Sequence, residues 1–108
     1  MFDVQLRKMH DSLVLDLAGS LGREGGEKIL RVVEGLPQLP ERLLLNFGGV
    51  ESMNTAGLGG VLWAVRKLNK AQKQVFAYGL SDHFRKVFHV MGLTQYIAVV
   101  EDEPAALR

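Results

Sequence analysis

The sequence predicts an α/β domain, with a mixed β-sheet of about five strands and three to four helices packed against it. Three observations predict this class. The chain opens with a run in which apolar and polar residues alternate, as they do along a half-buried strand. Short apolar runs then alternate with segments whose apolar residues recur every three or four positions, which is typical of amphipathic helices. Strand–helix–strand units require parallel neighbouring strands joined by right-handed crossovers, so the elements combine into one mixed sheet.

A β-hairpin is expected at the start of the chain. Residues 2–7 alternate between apolar and polar side chains, and residues 13–17 form a second apolar run. Residues 10–12 read His-Asp-Ser, a composition typical of turns, so the two runs are joined as a hairpin. The glycine-containing segment 19–22 is expected to end the second strand.

The next segments predict a helix followed by a central strand. Residues 24–36 place apolar side chains on one side and charged side chains on the other, which indicates an amphipathic helix of about three turns. The prolines within 37–40 prevent that helix from continuing. Residues 43–47 are almost continuously apolar, which is typical of a strand covered on both faces. The glycine pair 48–49 is expected to end this strand.

A second helix follows the polar stretch 51–55. Arg66, Lys67 and Lys70 lie away from its apolar face. Trp63 falls outside the main apolar stripe as well. The apolar face consists of Leu58, Val61, Leu62, Val65 and Leu68.

The last third of the chain predicts two short strands, one more helix and a polar tail. Ser81 is suited to cap that helix, since its hydroxyl can accept a hydrogen bond from a free backbone N–H. Gly92 stands where a left-handed residue commonly ends a helix. The strands are 74–78 and 97–100, the helix has apolar residues at Phe84, Val87, Phe88 and Met91, and the tail, 101–108, includes one helical turn from Pro104.

Composition indicates a globular cytoplasmic protein. The length of 108 residues fits one domain spanning 1–108, and a hydrophobic content of 47% argues against disorder. The formal charge of +1 makes nucleic acid a poor default partner. The absence of cysteine excludes disulfides, zinc–thiolate sites and thiol catalysis. No signal peptide is recognisable, and the apolar runs fall far short of the roughly 20 residues that span a bilayer, so no membrane insertion is expected.

No arrangement of residues predicts catalysis, a cofactor or a metal site. Gly57 and Gly59 open the second helix, but a dinucleotide fingerprint needs a third glycine where Leu62 stands, and no P-loop sequence follows. Close packing of the helix start against a neighbouring strand explains these glycines better than a bound nucleotide does. His83 and His89 are six positions apart and lack the i, i+4 spacing of a helical metal pair.

The entry to the second helix is the segment with the strongest functional signal. Asn54 and Thr55 are both competent helix caps, so a well-capped helix is the simplest explanation. A hydroxyl at a helix N-terminus can in addition be phosphorylated without melting the helix, because the helix dipole favours the added anion. Phosphate would bring about −1.5 to −2 charges, and the surface would then repel the acidic groups of a partner.

Four segments resemble the STAS domain of anti-sigma-factor antagonists. Residues 19–22 read Gly-Ser-Leu-Gly, where the family has a turn like Gly-Glu-Leu-Asp. Residues 46–47 read Asn-Phe and occupy the position of the Asp-Leu or Asn-Leu pair that ends the family's central strand. Residues 54–59 read Asn-Thr-Ala-Gly-Leu-Gly and resemble the family motif Asp-Ser-Ser/Thr-Gly-Leu-Gly. Residues 88–93 resemble the family's third helix, which closes in Gly-Leu. The likeness covers nearly the whole chain and implies a single STAS domain.

The resemblance implies partner switching and not catalysis. In the family, a bacterial Ser/Thr kinase that is also an anti-sigma factor binds the antagonist and phosphorylates the residue after the motif aspartate. A phosphatase restores the unphosphorylated form. Thr55 occupies the acceptor position, while Asn54 replaces the aspartate and Ala56 replaces the second hydroxyl residue. The resemblance thus implies phosphorylation at Thr55, a kinase as partner, and an output through transcription or another signalling pathway.

The expected docking surface combines the helix entry with the preceding loop and with outward side chains of the second helix. A tryptophan outside the apolar stripe is either a binding hot spot or half-buried under a neighbouring element, and the sequence favours neither. Two other functions stay open: a constitutive STAS accessory subunit of a lipid or anion transporter, and a nucleotide-binding STAS module. Dimerisation stays open as well. The docking residues are Ser20, Arg23, Asn54, Thr55, Ala56, Gly57, Trp63, Arg66 and Lys67.

Overall fold

Five strands, four α-helices and one short 3-10 helix make up the chain in the computed structural model, which describes residues 1–108. The predicted α/β class, a mixed sheet with helices packed against it, is confirmed. None of the helices combines the length and the apolar character needed to traverse a membrane. In chain order the elements are β1 (Phe2–Met9), β2 (Ser12–Leu21), α1 (Arg23–Glu34), β3 (Arg42–Met53), α2 (Thr55–Lys70), β4 (Gln74–Tyr78), α3 (Asp82–Val90), the 3-10 helix (Leu93–Gln95), β5 (Ala98–Val99) and α4 (Glu103–Leu107).

The strands form one sheet in the order β1-β2-β3-β4-β5. β1 and β2 are the predicted antiparallel hairpin, while β2, β3, β4 and β5 are parallel neighbours. Leu45 lies at the centre, paired with Leu15 on β2 and with Ala77 on β4. Because the parallel strands run in one direction, the connections from β2 to α1 and from β3 to α2 begin at the same edge of the sheet. This edge, where the parallel strands end, is named here the carboxyl edge, and the candidate site lies there.

The two faces of the sheet are covered by different helices. Alternate residues of a strand point to opposite faces. Leu43 and Leu45 therefore pack with buried residues of α1, α2 and α3, while Leu44 packs on the other face with Ala106 of α4. All three leucines are fully buried, which confirms that β3 is a central strand covered on both sides.

β3 is longer than the sequence predicts, because the glycine pair 48–49 does not end it. The strand continues to Met53, and its second half pairs only with β2, where Val50 lies opposite Gly19. β2 likewise runs on to Leu21, past the glycine expected to end it. Register shifts in this stretch allow the two strands to bend together. The prediction is wrong here because pairing with a neighbouring strand sustains a strand through residues of low strand propensity.

The boundaries of α1, α3 and β5 also differ from the sequence-based expectations. α1 begins one residue earlier and ends at Glu34, two residues before the expected end. α3 ends at Val90, so Met91 lies past the helix and is 45% exposed instead of completing its apolar face. β5 contains only Ala98–Val99, so Ile97 and Val100 at the two ends of the predicted strand lie outside it.

Three local predictions are confirmed: the N-cap of α3, the left-handed glycine after it, and the helical turn in the tail. The backbone N–H of Phe84 donates a hydrogen bond of 3.1 Å to the hydroxyl oxygen of Ser81, which is the N-cap. Gly92 adopts a left-handed conformation with φ of 77°. In the tail, Asp102 caps α4, whose first turn contains the proline that indicated a helical turn.

Helices α1 and α2 touch through glycine backbones. A Cβ atom placed on Gly60 would lie 2.4 Å from the backbone of Gly26 on α1. A Cβ atom placed on Gly57 would lie 2.3 Å from the carbonyl oxygen of Leu21, at the end of β2. Both positions therefore exclude a side chain. The prediction that small residues let this helix start pack closely on a neighbouring strand is confirmed at Gly57.

Replacing Gly60 with alanine should destabilise the fold, whereas the same change at Gly59 should not. Nothing lies within 4 Å of a Cβ atom placed on Gly59. Alanine there gains helix propensity and should raise the free energy of unfolding by about 0.5–1 kcal/mol. At Gly60 the new methyl group meets the backbone of α1, and overpacking should cost about 1–3 kcal/mol. Urea denaturation measures both effects, and a Gly60→Ala protein as stable as the wild type would contradict the close helix contact.

Candidate functional site

The entry to α2 is built by hydrogen bonds that make Asn54 the helix cap. Asn54 has extended backbone angles, φ −131° and ψ 174°, and its side-chain oxygen accepts a hydrogen bond of 2.9 Å from the backbone N–H of Gly57. Its own backbone N–H donates to the carbonyl oxygen of Leu21 at 3.1 Å, which ties the loop to the end of β2. Of the two competent caps that the sequence offers, the fold uses Asn54.

Thr55 is the first residue of α2, and its side chain is exposed to solvent. Since Asn54 supplies the cap, the Thr55 hydroxyl is not needed to satisfy the first turn. The free N–H groups and the dipole of the helix make this position favourable for negative charge. The exposed hydroxyl thus stands where an added phosphate would be stabilised by the helix that carries it.

The end of β2 and the start of α1 bring Ser20 and Arg23 to the same edge of the sheet, so the predicted loop around these residues shortens to Gly22. Ser20 pairs with Ser52 on β3, Arg23 is the first residue of α1, and both side chains are exposed. Ala56 is exposed next to Thr55. Five of the residues selected from the sequence therefore lie exposed at the carboxyl edge: Ser20, Arg23, Asn54, Thr55 and Ala56.

Gly57, which the sequence placed among the docking residues, is buried. It belongs to the first turn of α2 and lies against the carbonyl oxygen of Leu21. Its role in this site is therefore to hold Thr55 in place, and not to contact a partner directly.

One exposed face of α2, named here the α2 face, runs from the helix entry to its last turn. Residues three or four positions apart share a face of a helix, and the exposed or partly exposed positions follow that spacing. The helix contains no acidic residue, so this face carries only neutral and basic side chains. Its members are Thr55, Ala56, Gly59, Trp63, Arg66, Lys67 and Lys70.

Trp63 projects into solvent from the middle of the α2 face. The residue is 63% exposed, so the alternative in which it lies half-buried under a neighbouring element is wrong. The guanidinium carbon of Arg66 lies 5.5 Å from the centre of the Trp63 ring, which is a cation–π contact. Tryptophan and arginine are the residue types most enriched at interface hot spots.

A groove of about 290 Å³ lies between α1 and α2 beside Trp63. Leu30 and Glu34 of α1 line one side of it, and neither was predicted as a site residue. Their i, i+4 spacing places them on one face of α1, but nothing in the sequence indicates which helix that face meets. The basic residues of the α2 face, Arg66, Lys67 and Lys70, line the other side.

The ionisable groups with shifted pKa values lie on the opposite face of the sheet. Arg7 on β1 donates hydrogen bonds to Asp16 on β2 and to Glu103 on α4. Tyr78 on β4 donates its hydroxyl to Glu103. Asn46 on β3 donates to Asp16 at 2.8 Å. This network, named here the α4 latch, joins four strands to α4.

Hydrogen bonds within the α4 latch set these shifts. The bonds from Arg7 hold the pKa values of the Asp16 and Glu103 carboxyls below their ordinary range. The bonds to the two carboxylates raise the pKa of Arg7. Burial, followed by the hydrogen bond to Glu103, raises the pKa of Tyr78. All four groups therefore keep their ordinary charge at neutral pH, and the network serves to fasten α4. No cluster of three or more His, Cys, Asp or Glu side chains is placed to hold a metal ion.

A family model and several solved structures match this chain. The family model described as Mlab, STAS domain matches residues 4–101. The anti-sigma factor antagonist SpoIIAA in its unphosphorylated form is 21% identical, with a TM-score of 0.73 over 95% of this chain and 92% of that chain. The Bacillus cell fate determinant SpoIIAA in the phosphorylated form is 24% identical, with a TM-score of 0.74 over 95% of this chain and 96% of that chain.

A protein from a transporter family shares the same fold. The sulfate transporter family protein from Wolinella succinogenes is 11% identical, with a TM-score of 0.79 over 94% of this chain and 86% of that chain. At these identities the likeness to the solved structures shows the fold alone. The family model, in contrast, matches nearly the whole chain.

Replacing Arg7 with methionine should reduce stability and flatten its dependence on acid pH. A carboxyl whose pKa is lowered in the folded chain contributes stability that is full above its unfolded pKa of about 4 and is lost as the pH falls through the folded pKa. The free energy of unfolding of the wild type should therefore decrease below about pH 5, and that of Arg7→Met should decrease less. At neutral pH the loss should be about 1 kcal/mol or less, because Arg7 is 44% exposed and screened by solvent.

Urea denaturation at several pH values measures this difference. Arg31→Met is a matched control, because Arg31 is exposed and takes part in none of the ion pairs. Parallel pH profiles for the wild type and Arg7→Met would contradict the role of the α4 latch.

Proposed function

The chain belongs to the STAS domain family, and we propose that it is an anti-sigma-factor antagonist controlled by phosphorylation at Thr55. Its partner in this proposal is an anti-sigma factor that is also a Ser/Thr kinase. The unphosphorylated chain holds the kinase and frees a sigma factor, and phosphorylation dissolves the complex. The observation that carries the proposal is the exposed side chain of Thr55 at the first position of α2.

The likeness to SpoIIAA supports the proposal. That protein is an anti-sigma factor antagonist, and its structures in the unphosphorylated and the phosphorylated form share the fold of this chain. One fold therefore accommodates both states in that protein. This chain is likewise expected to keep its fold when phosphorylated, because Asn54 caps α2 and the Thr55 hydroxyl takes no part in the cap.

Phosphorylation at Thr55 would be a transfer from ATP bound to the kinase. The Thr55 hydroxyl oxygen attacks the γ-phosphorus, and the bond from that phosphorus to the bridging oxygen of ADP breaks. The hydroxyl proton passes to a base of the kinase. This chain contributes only the position of the nucleophile. The Thr55 hydroxyl is held at the N-terminal end of α2, whose first turns pack against β2 and α1.

The phosphate would change the charge of the docking surface with little change of fold. It adds about −1.5 to −2 charges at a helix N-terminus, where the dipole favours an anion. Before phosphorylation the entry to α2 carries no acid, and the nearby Arg23 and Glu24 of α1 have opposite charges, so acidic groups of a partner can approach Arg23 and the first turn of α2. After phosphorylation the same surface repels them, and the complex dissociates. A phosphatase would reverse the switch.

Two residues differ from the family motif, and both differences agree with Thr55 as the single phosphate acceptor. Asn54 lacks the carboxylate of the family aspartate, so the surface before phosphorylation is one charge less negative. Ala56 removes the second hydroxyl, which leaves Thr55 as the acceptor in the core of the motif. Asn54 keeps the capping role that an aspartate would have, since either side chain accepts the hydrogen bond from Gly57.

A constitutive accessory subunit of a membrane transporter is the second candidate function. The observation that favours it is the shared fold with a sulfate transporter family protein, together with the missing motif aspartate. In that case the docking surface would bind its partner permanently, and a negative charge at Thr55 would have no regulatory meaning. Nucleotide binding receives less support, because Gly57 and Gly60 are explained by close packing against β2 and α1.

A negative charge at position 55 should weaken binding of the partner kinase. The kinase that co-purifies with the wild-type chain is isolated and titrated against the variants by calorimetry. Thr55→Glu should weaken the affinity at least tenfold, because like charges meet across the interface. Thr55→Val, which has nearly the same shape, should bind as the wild type does. Incubation of the wild-type chain with the kinase and ATP should give a single phosphate on Thr55, detected by mass spectrometry.

The control variant is Thr94→Glu, since Thr94 is an exposed threonine of the 3-10 helix, away from the α2 face. It should leave the affinity unchanged. Absence of phosphate on Thr55, with equal affinities for the wild type and Thr55→Glu, would argue against the switch. Co-purification of a transporter ATPase or permease in place of a kinase would favour the second candidate.

A further inference from the structure

The second half of the α2 face has an unbalanced charge. Arg66, Lys67 and Lys70 are exposed there, and none of the ion pairs of the structure involves them. The helix carries no acid of its own. Glu34, across the groove on α1, is the one acid that lines it. Three cations against one carboxylate leave this part of the surface positive, with no ion-pair partner within the chain.

The groove beside these cations can accept an apolar side chain. Leu30 and Trp63 are its two apolar lining residues, and its volume is about 290 Å³. The groove suits one or two side chains better than a whole small molecule, because small-molecule sites are lined mainly by apolar residues and four of the six lining residues here are charged. The Trp63 ring, already steadied by the Arg66 guanidinium, offers a flat apolar wall.

We infer that the groove between α1 and α2 binds an acidic segment of the partner protein, with an apolar side chain of that segment seated against Trp63. The inference rests on the proposed function, because it names the partner chemistry recognised by the same helix face. Acidic side chains of the segment pair with Arg66, Lys67 and Lys70. Burial of Trp63 supplies the affinity, and the cations supply orientation and speed of association.

A protein segment fits this surface better than an anionic membrane does. A helix that lies on a membrane inserts a continuous apolar face into the lipid. Trp63 is the one large apolar side chain exposed on the α2 face, and the others lie elsewhere in the chain. A single ring flanked by cations is instead the pattern of an anchor at the centre of a protein interface.

The groove is separate from the phosphorylation site. Trp63 lies about 12 Å from Thr55 along the helix axis, at a rise of 1.5 Å per residue. This exceeds the screening length of about 8–10 Å at physiological salt. A charge at Thr55 therefore weakens contacts at the carboxyl edge and changes contacts in the groove much less.

The test is an NMR titration of the ¹⁵N-labelled full chain with a short synthetic peptide in which two leucines are flanked by glutamates. Binding should shift the indole N–H signal of Trp63 and the amide signals of 63–70. Trp63→Ala should weaken the affinity roughly tenfold or more. The double change Arg66→Glu and Lys67→Glu should abolish binding, and added salt should weaken binding by the wild type.

Two matched controls accompany the titration. Lys86→Glu changes an exposed cation on α3 and should leave the affinity unchanged. A peptide with lysines in place of the glutamates should not bind. Circular dichroism of each variant establishes that it is folded, which is expected because the altered side chains are exposed.

Three results would overturn the inference. The acidic peptide could produce no localised shifts, the lysine peptide could bind equally well, or phosphatidylglycerol vesicles could bind the chain while the peptide does not. The Thr55→Glu variant separates this inference from the proposed function, because it should change peptide affinity by less than about twofold. If the peptide binds but Thr55→Glu does not change the affinity for the kinase, the groove is supported and the proposed switch is not. If the peptide does not bind but Thr55→Glu weakens the affinity for the kinase, the switch is supported and the groove is overturned.

Discussion

The close approach of α2 to β2 and to α1 is the constraint on which the rest of the site depends. Gly57 meets the end of β2, and Gly60 meets Gly26 of α1, with no room for a Cβ atom at either point. This contact fixes where the first turn of α2 begins and which way it faces. Thr55 is exposed because the opposite side of that turn is pressed against backbone.

In the proposed function, capping and phosphorylation fall on neighbouring residues at the entry to α2. Asn54 accepts the hydrogen bond that stabilises the first turn, so the Thr55 hydroxyl is not needed to cap the helix. A charge at Thr55 can then act on whatever binds the surface and not on the helix. The groups with shifted pKa values lie in the α4 latch, on the opposite face of the sheet from α2.

Local sequence signals predicted much of this fold, and contacts between distant segments account for the parts that they missed. Residues 74–78 and the Ser81 cap depend on neighbouring residues and were predicted correctly. The extension of β3 past the glycine pair 48–49 depends on pairing with β2, which no local signal indicates. The α4 latch joins Arg7 to Glu103, and the groove joins Leu30 to Trp63; both require the tertiary arrangement.

The central claim is that a negative charge at Thr55 changes the surface and preserves the fold. The most direct measurement compares ¹H–¹⁵N correlation spectra of the wild-type chain and the chain phosphorylated at Thr55. Signal changes confined to the entry of α2 and the adjoining loop before α1, with the core signals unmoved, are the result expected. Shifts spread through the core, or loss of dispersed signals, would mean that phosphorylation acts by remodelling the fold, and would contradict the account.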